Sequence, residues 1–158
     1  MRDYCESVHG KKAMEYFKKG YNCSQSLVIS FAEECGLEES MLLRMSSSFG
    51  AGMGRMREVC GAVSGMFLVA GLMYGYDSPT DQEKKTEHYR RIQELASRFR
   101  EANGSIVCRE LLGFTGTEFS PVPEQRTKEY YQKRPCGQLV AMAATILEEY
   151  MEQNPIEL

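Results

Sequence analysis

The longest run without a charged residue covers residues 59–76 and constrains the fold more than any other feature of the chain. Eighteen residues lie at the lower limit for a membrane-spanning helix. Four glycines and Ser64 dilute the run, and the mean hydropathy of the chain is −0.42. A helix that is apolar on all sides is typical of the centre of a bundle. We therefore expect a buried central helix and a protein that is not embedded in a membrane.

The glycines of this run are spaced so that they fall on common helix faces. Gly61 and Gly65 are four residues apart, as are Gly71 and Gly75. Such pairs allow the backbone of a neighbouring helix to approach closely. The neighbour is either another helix of the chain or, in a homodimer, a second copy of this one.

Helical periodicity and helix caps recur along the rest of the chain, whereas alternating strand patterns are nearly absent. The length of 158 residues is typical of one domain. We predict an all-α, single-domain bundle over residues 1–158, with about five to seven helices. The predicted helical segments are 4–19, 24–35, 38–46, 59–76, 81–102, 105–112 and 136–153, and residues 113–125 are predicted to form a loop. Asn22 is the predicted cap of the second segment, and Ser105 is the predicted cap of the short segment that ends at residue 112.

Charge and cysteine content exclude some classes of function. The 19 basic and 22 acidic residues give a net charge of −3, which disfavours a nucleic-acid partner. The first 12 residues carry charges with no apolar stretch after them, so no secretory signal is predicted and the cytoplasm is the expected location. In that reducing compartment, six cysteines indicate reactive thiols or metal ligands rather than a permanent disulfide framework.

Four of the cysteines fall at the start of predicted helices: Cys23, Cys60, Cys108 and Cys136. A helix start offers unpaired N–H groups and a partial positive charge, both of which favour a thiolate and lower the pKa of a thiol. We expect the four helix starts to be directed at one shared site. The alternative is that the cysteines are small buried hydrophobic residues that only pack.

A glycine-rich stretch, residues 49–57 (FGAGMGRMR), precedes the central helix. It matches neither phosphate-loop motif and follows no predicted strand, so a nucleotide is disfavoured. We expect it to let the backbone pass close to the cysteine site, with Arg55 or Arg57 offsetting thiolate or cluster charge. The candidate cofactor-binding residues are Gly50, Gly52, Gly54, Arg55 and Gly61.

Three other polar features receive structural interpretations. Cys5 and His9 are four residues apart, and packing is favoured over a shared metal ion. His88 lies in the polar segment 81–102 and is predicted to be exposed. Glu148 and Glu149 are predicted on the solvated face of the last helix.

Five segments carry a resemblance to a known family: residues 20–25 (GYNCSQ), 49–55 (FGAGMGR), 60–65 (CGAVSG), 108–113 (CRELLG) and Cys136. Together they resemble the redox-active proteins named for a C-GCAxxG-C-C cysteine pattern. The resemblance covers about residues 20–139. Residues 60–62 read CGA where the family label reads GCA.

The resemblance assigns the family's cysteines to Cys23, Cys60, Cys108 and Cys136, while Cys5 and Cys35 fall outside it. It implies a small redox-active protein that is often encoded near transporter genes, hence a functional link to a transporter. A similar domain in multihaem cytochromes is associated with an iron–sulfur centre, which implies a cluster as one cofactor. The chain has no C-x-x-C-H haem attachment motif.

Three hypotheses follow. The leading one is thiol/disulfide exchange among the four cysteines with a redox partner protein or a small thiol, an activity like that of a thiol–disulfide oxidoreductase. Cys60 is its expected nucleophile, because its flanking glycines predict the best access. In the second, the four cysteines ligate an iron–sulfur cluster or, less favoured, zinc. The third is a non-catalytic helical interaction module whose cysteines pack.

Overall fold

The fold is all-α, as predicted, in a computed structural model that describes residues 2–116 and 119–156. Within those residues there is no strand, and Val59 and Val107 form an isolated antiparallel bridge. The helices are α1 Val8–Lys18, α2 Cys23–Ile29, α3 Ala32–Cys35, α4 Glu39–Ser46, α5 Gly50–Met53, α6 Gly61–Tyr74, α7 Gln82–Asn103, α8 Cys108–Leu112, α9 Lys128–Lys133 and α10 Cys136–Gln153. A 3₁₀ turn, Ser47–Phe49, joins α4 to α5.

The helix α6 is the expected central helix, and it packs against α2, α7 and α10. Its first six residues are buried, and Val69 and Ala70 are buried as well. Leu72, near its end, is 45% exposed, so the burial belongs to the N-terminal part of the helix. Among the described residues, no helix is both long enough and apolar enough to cross a membrane.

The first glycine pair of α6 lets α2 approach closely within the same chain. A Cβ atom on Gly65 would lie 3.0 Å from Leu27 Cβ and 3.0 Å from the carbonyl oxygen of Ser24. A Cβ atom on Gly71 meets none of the described atoms within 4 Å. The helix that packs on the Gly61–Gly65 face is therefore α2. The packing of a second copy of the chain against the side that carries Gly71 stays a prediction.

Several helix boundaries differ from the sequence prediction. The segment predicted as one helix over residues 24–35 is two helices, because the chain turns at Phe31, whose side chain is fully buried. The helix α9 was not predicted, although Thr127 caps it by accepting a hydrogen bond from Tyr130 N. Ser105 does not cap α8, because the helix begins only at Cys108 and Ser105 Oγ donates to Glu110 instead.

The prediction that His88 is exposed is wrong, since it is 8% exposed. It lies on the buried face of α7, seven residues before Leu95, and its ring packs edge-on against Tyr76. Burial and the charge of Arg91 lower the pKa of His88. The buried face of α7 therefore extends further toward the N-terminus of the helix than its polar sequence suggests.

The prediction that Glu148 is solvated is also wrong, since it is 6% exposed. It accepts hydrogen bonds from the backbone and the ring of His9 and pairs with Arg2 at 2.7 Å. Burial alone would raise the pKa of Glu148, but the hydrogen bonds from His9, Ser7 and Arg2 outweigh it and lower the pKa to about 2. Because His9 also bonds Glu34, its ring belongs to a carboxylate network rather than to a site with the exposed Cys5.

Replacing Glu148 with glutamine is expected to destabilise the protein by about 2 kcal/mol at pH 7. The carboxyl pKa is lower in the folded state than in the unfolded chain, so its stabilisation is present above about pH 4.3. That stabilisation is lost as the pH falls through 4 toward 2. Urea unfolding from pH 3 to 7 checks this, with Glu101→Gln on the exposed face of α7 as the control. Equal acid sensitivity of Glu148→Gln and the wild type would contradict the assignment.

Candidate functional site

The four cysteines at helix starts line a single cavity with a volume of about 400 Å³. They are Cys23, Cys60, Cys108 and Cys136. They come from the loop–helix junctions that begin α2, α6, α8 and α10, so residues far apart in the chain meet in one place. Cys5 and Cys35 do not line this cavity. All six cysteines are unpaired thiols.

Each of the four cysteines lies at the beginning of its helix. Cys23, Cys108 and Cys136 are the first residues of their helices, and Cys60 immediately precedes α6. Asn22 caps α2 as predicted, in a reciprocal capping box with Gln25. The helix starts therefore present their cysteines to the common cavity. The cysteine that α2 presents, Cys23, is buried in the bundle.

The expected lowering of thiol pKa values is wrong for three of these cysteines. Burial raises the pKa of Cys23 and raises that of Cys60 well above the ordinary value. Burial also raises the pKa of Cys136, to about 12. Hydrogen bonds oppose the effect, as the N–H of Ala51 lies 3.4 Å from Cys23 Sγ, but the loss of hydration outweighs them. These thiols are therefore protonated at neutral pH.

The thiols interact electrostatically across the cavity. After burial, the largest cause that raises the pKa of Cys60 is the negative charge that Cys23 can carry. The same charge, followed by that of Cys108, raises the pKa of Cys136. Cys23 is thus the thiol of the four whose negative charge would raise the pKa values of Cys60 and Cys136 most strongly.

Access to the four thiols differs from the expectation. Cys60, predicted to be the most exposed, is only 6% exposed. Cys23 and Cys108 are buried as well, whereas Cys136 is partly exposed. The glycines next to Cys60 do not open a path to its sulfur, because Gly61 packs against α2. Cys136 is therefore the thiol of the four that a partner reaches most easily.

The glycine-rich stretch brings backbone next to the sulfurs. A Cβ atom on Gly52 would lie 2.6 Å from Cys108 Cβ and 2.8 Å from the nitrogen of Glu58. A Cβ atom on Gly61 would collide with Cys23 Sγ. Gly50 packs against the side chain of Asn22, and only Gly54 lacks a close neighbour, its nearest being Ser48 O at 3.7 Å.

The backbone around this stretch is held in an uncommon conformation. Ala51, Met53, Arg55 and Arg57 are non-glycine residues with φ between 54° and 69°. A left-handed residue with a side chain costs about 1 to 2 kcal/mol. The surrounding fold maintains this strain, and the last of these residues, Arg57, has a buried side chain next to Cys108.

Four arginines line the cavity. Arg57 is 6% exposed, with Nη1 3.8 Å from Cys108 Sγ. Arg55 donates from Nε to Ser120 O at 2.8 Å. Sequence analysis missed the other two, Arg126 and Arg134. Arg134 is two residues before Cys136, which was a usable signal, whereas Arg126 is brought in by a loop with no recognisable motif.

The two arginines missed by the sequence differ in their contacts. Arg126 donates to the carbonyl oxygens of Phe17 and Tyr21, and its guanidinium lies 4.1 Å from the ring centre of Phe17. Arg134 pairs with Glu124. Both arginines lower the pKa of Cys136, against the larger effect of burial.

Among the described residues, these thiols form no ready-made site for a single metal ion. A structural zinc ion takes four ligands at about 2.0 to 2.3 Å. Across the part of the chain that the structure describes, no three Cys, His, Asp or Glu side chains are grouped closely enough to hold a metal ion. The predictions of a zinc ion or an iron–sulfur cluster therefore receive no support from this geometry and stay predictions.

Comparison with known proteins identifies one family. The model of the family described as "Putative redox-active protein (C_GCAxxG_C_C)" matches residues 21–150. All four cavity cysteines lie within the matched residues. The searches of curated proteins and of solved structures gave no match.

Proposed function

The chain belongs to the C_GCAxxG_C_C family of redox-active proteins, and on that premise we propose that it carries out thiol/disulfide exchange through the cysteines of its cavity. The observation that carries the proposal is that four thiols from four helices line one cavity. Two sulfurs can exchange a disulfide only where they can approach each other, and we propose that the shared cavity allows this approach.

The protonation state of the thiols suits a stable reduced form. Four neighbouring thiolates would repel one another, but raised pKa values keep Cys23, Cys60 and Cys136 uncharged at neutral pH. The reduced protein therefore needs no cation to hold these three sulfurs together. This is consistent with a pair of thiols that stays reduced until it reacts with a disulfide substrate.

Cys136 is the proposed nucleophile, because it is the most accessible of the four. Its thiol loses a proton, and the thiolate attacks one sulfur of a substrate disulfide, which releases the first substrate thiolate. Cys23, deprotonated in turn, attacks the Cys136 sulfur of the mixed disulfide and releases the second. The protein gains a Cys23–Cys136 disulfide and gives two electrons to the substrate, whose two thiolates take up the two protons.

The size of the cavity indicates a small-molecule substrate, since ligand cavities typically measure about 300 to 1,000 Å³ and this one measures about 400 Å³. A redox partner protein would reach the partly exposed Cys136. We place the reaction in the cytoplasm, where free thiols persist. The link to a transporter stays a prediction from the family.

The test is to purify the chain without oxygen and count its thiols before and after reaction with one equivalent of bis(2-hydroxyethyl) disulfide. We expect a colourless protein that loses two of its six thiols and releases two equivalents of mercaptoethanol. A brown, iron-containing protein whose colour is lost in the Cys60→Ser variant would contradict the proposal and support the iron–sulfur cluster. If all six thiols are unreactive, the remaining hypothesis is the non-catalytic interaction module whose cysteines only pack.

A further inference from the structure

The cavity carries positive charge in a negatively charged protein. Its described lining includes four arginines and one carboxylate, Glu124, whereas the whole chain has a net charge of −3. Charge concentrated in a recess with apolar walls attracts ligands of opposite sign. The positive charge is therefore a property of this cavity, since the chain as a whole is negatively charged.

Arg57 is the least satisfied of these cations. Its side chain is 7% exposed, yet its polar contacts are long, at 3.9 Å to Glu124 and 3.8 Å to Cys108 Sγ, and its guanidinium carbon lies 5.7 Å from the ring centre of Phe114. A buried charge is costly unless it is paired at close range and hydrogen-bonded. Arg126, by contrast, has its donors directed at two carbonyl oxygens. The guanidinium of Arg57 can therefore accept a closer anion than Glu124.

Glu124 occupies the position where such an anion would bind. Its carboxylate pairs with Arg134 and faces Arg57, so it lies between the cation beside Cys108 and the cation near Cys136. It is also 42% exposed and belongs to an irregular segment without helix or strand. It is the one described carboxylate within 4 Å of both arginines, and moving it outward breaks no regular structure.

We propose that the cavity binds a small anionic disulfide, or the thiol formed from it, whose carboxylate takes the place of Glu124 between Arg57 and Arg134. The proposal rests on the proposed function and names its substrate class. Guanidinium groups pair with carboxylates through two parallel hydrogen bonds, which orients the ligand as well as attracting it. The aliphatic part of the ligand would contact Phe17, Leu111 and Leu139, which line the same cavity.

This orientation would direct the ligand's disulfide at Cys136. The reaction is then the exchange described above: the anionic disulfide is reduced to two thiols while Cys136 and Cys23 become a disulfide. The positive charge of Arg57 and Arg134 would also stabilise the thiolates that leave. No further oxidant or reductant is needed.

The test compares three disulfides of similar size and different charge: 3,3′-dithiodipropionate, bis(2-hydroxyethyl) disulfide and cystamine. Each rate constant for oxidation of the reduced protein is divided by the rate constant of the same disulfide with free mercaptoethanol. We expect the normalised rates to fall in the order anionic, neutral, cationic, with at least about tenfold between the first two.

The variants separate the roles of the charged groups. Arg134→Met should lower the rate with dithiodipropionate about tenfold more than it lowers the rate with the neutral disulfide, because Arg134 also affects the pKa of Cys136 with every substrate. Glu124→Gln, which removes the competing carboxylate charge, should raise the anionic rate several-fold. Arg57→Met should lower the rate with dithiodipropionate in the same way. Because Arg57 is buried, circular dichroism must show that this variant is folded. Arg98→Met, on α7 outside the cavity, is the matched control.

The outcomes distinguish this inference from the function on which it depends. Equal normalised rates for the three disulfides, unaffected by Glu124→Gln and Arg134→Met, would overturn the anionic substrate and leave thiol/disulfide exchange intact. No oxidation by any of the three would overturn both. A charge preference that also disappears in Arg98→Met would mean that overall charge, and not this cavity, sets the order.

Discussion

Replacing Cys136 with serine is expected to lower the rate at which the reduced protein reduces a small disulfide by at least about a hundredfold. Serine keeps the approximate size of the side chain but cannot form a disulfide. Cys136 is the partly exposed thiol of the four that line the cavity, so its loss removes the point of attack. Stopped-flow measurement of thiol release under anaerobic conditions gives the rate.

Two matched controls exist in the same chain, because Cys5 and Cys35 are cysteines that do not line the cavity. Cys5→Ser and Cys35→Ser should retain the wild-type rate. Full activity of Cys136→Ser together with loss of activity in Cys60→Ser would instead assign the attack to Cys60.

The pH dependence adds a second check on the identity of the nucleophile. Because the pKa of Cys136 is about 12, the thiolate fraction should increase about tenfold for each pH unit between 7 and 10. The wild-type exchange rate should follow that increase. A rate that is already constant above pH 8 would show that the attacking thiol has an ordinary or lowered pKa.

Replacing Gly61 with alanine is expected to destabilise the protein by about 2 to 3 kcal/mol. The new methyl group would meet Cys23 Sγ and would lie 2.8 Å from the carbonyl oxygen of Phe49. The backbone oxygen cannot move without disturbing the turn that leads into the glycine-rich stretch. The substitution should therefore both loosen the α2–α6 contact and displace a sulfur of the cavity.

Gly71→Ala, ten residues later in the same helix, is the control. A Cβ atom there meets no described atom within 4 Å, and alanine is a better helix former than glycine by about 0.5 to 1 kcal/mol. Gly71→Ala should therefore stabilise the protein slightly. Urea unfolding of the two variants measures the difference, and equal free energies of unfolding would contradict the close approach of α2 to α6.

The sequence predicted much of the fold from local signals. The uncharged run 59–76 predicted the central helix, because a helix without a polar face has no stable place on the surface. Capping residues such as Asn22 predicted where α2 begins. The four cysteines at helix starts predicted that these thiols share one site, and they line one cavity although nothing in their spacing required them to meet. The loop prediction 113–125 agrees for the residues described, whereas residues 117 and 118 lie outside them.

The errors about exposure and about thiol pKa values concern burial, which tertiary packing decides. A helix start favours a thiolate, but at Cys23 and Cys60 the loss of hydration is larger, so the pKa shifts in the opposite direction. The same limitation explains Glu148, whose burial depends on His9 and Arg2 from the other end of the chain. It also explains Arg126, whose partners are carbonyl oxygens that no side-chain pattern reveals.

The most direct test of the central claim is to oxidise the protein with a small disulfide and map its disulfide bonds by mass spectrometry of the unreduced peptides. The proposed exchange predicts one principal bond, between Cys23 and Cys136, with Cys5 and Cys35 recovered as free thiols. Oxidation that leaves the four cavity cysteines unbonded to one another, or that joins them to Cys5 or Cys35, would contradict the claim that this cavity is a thiol/disulfide exchange site.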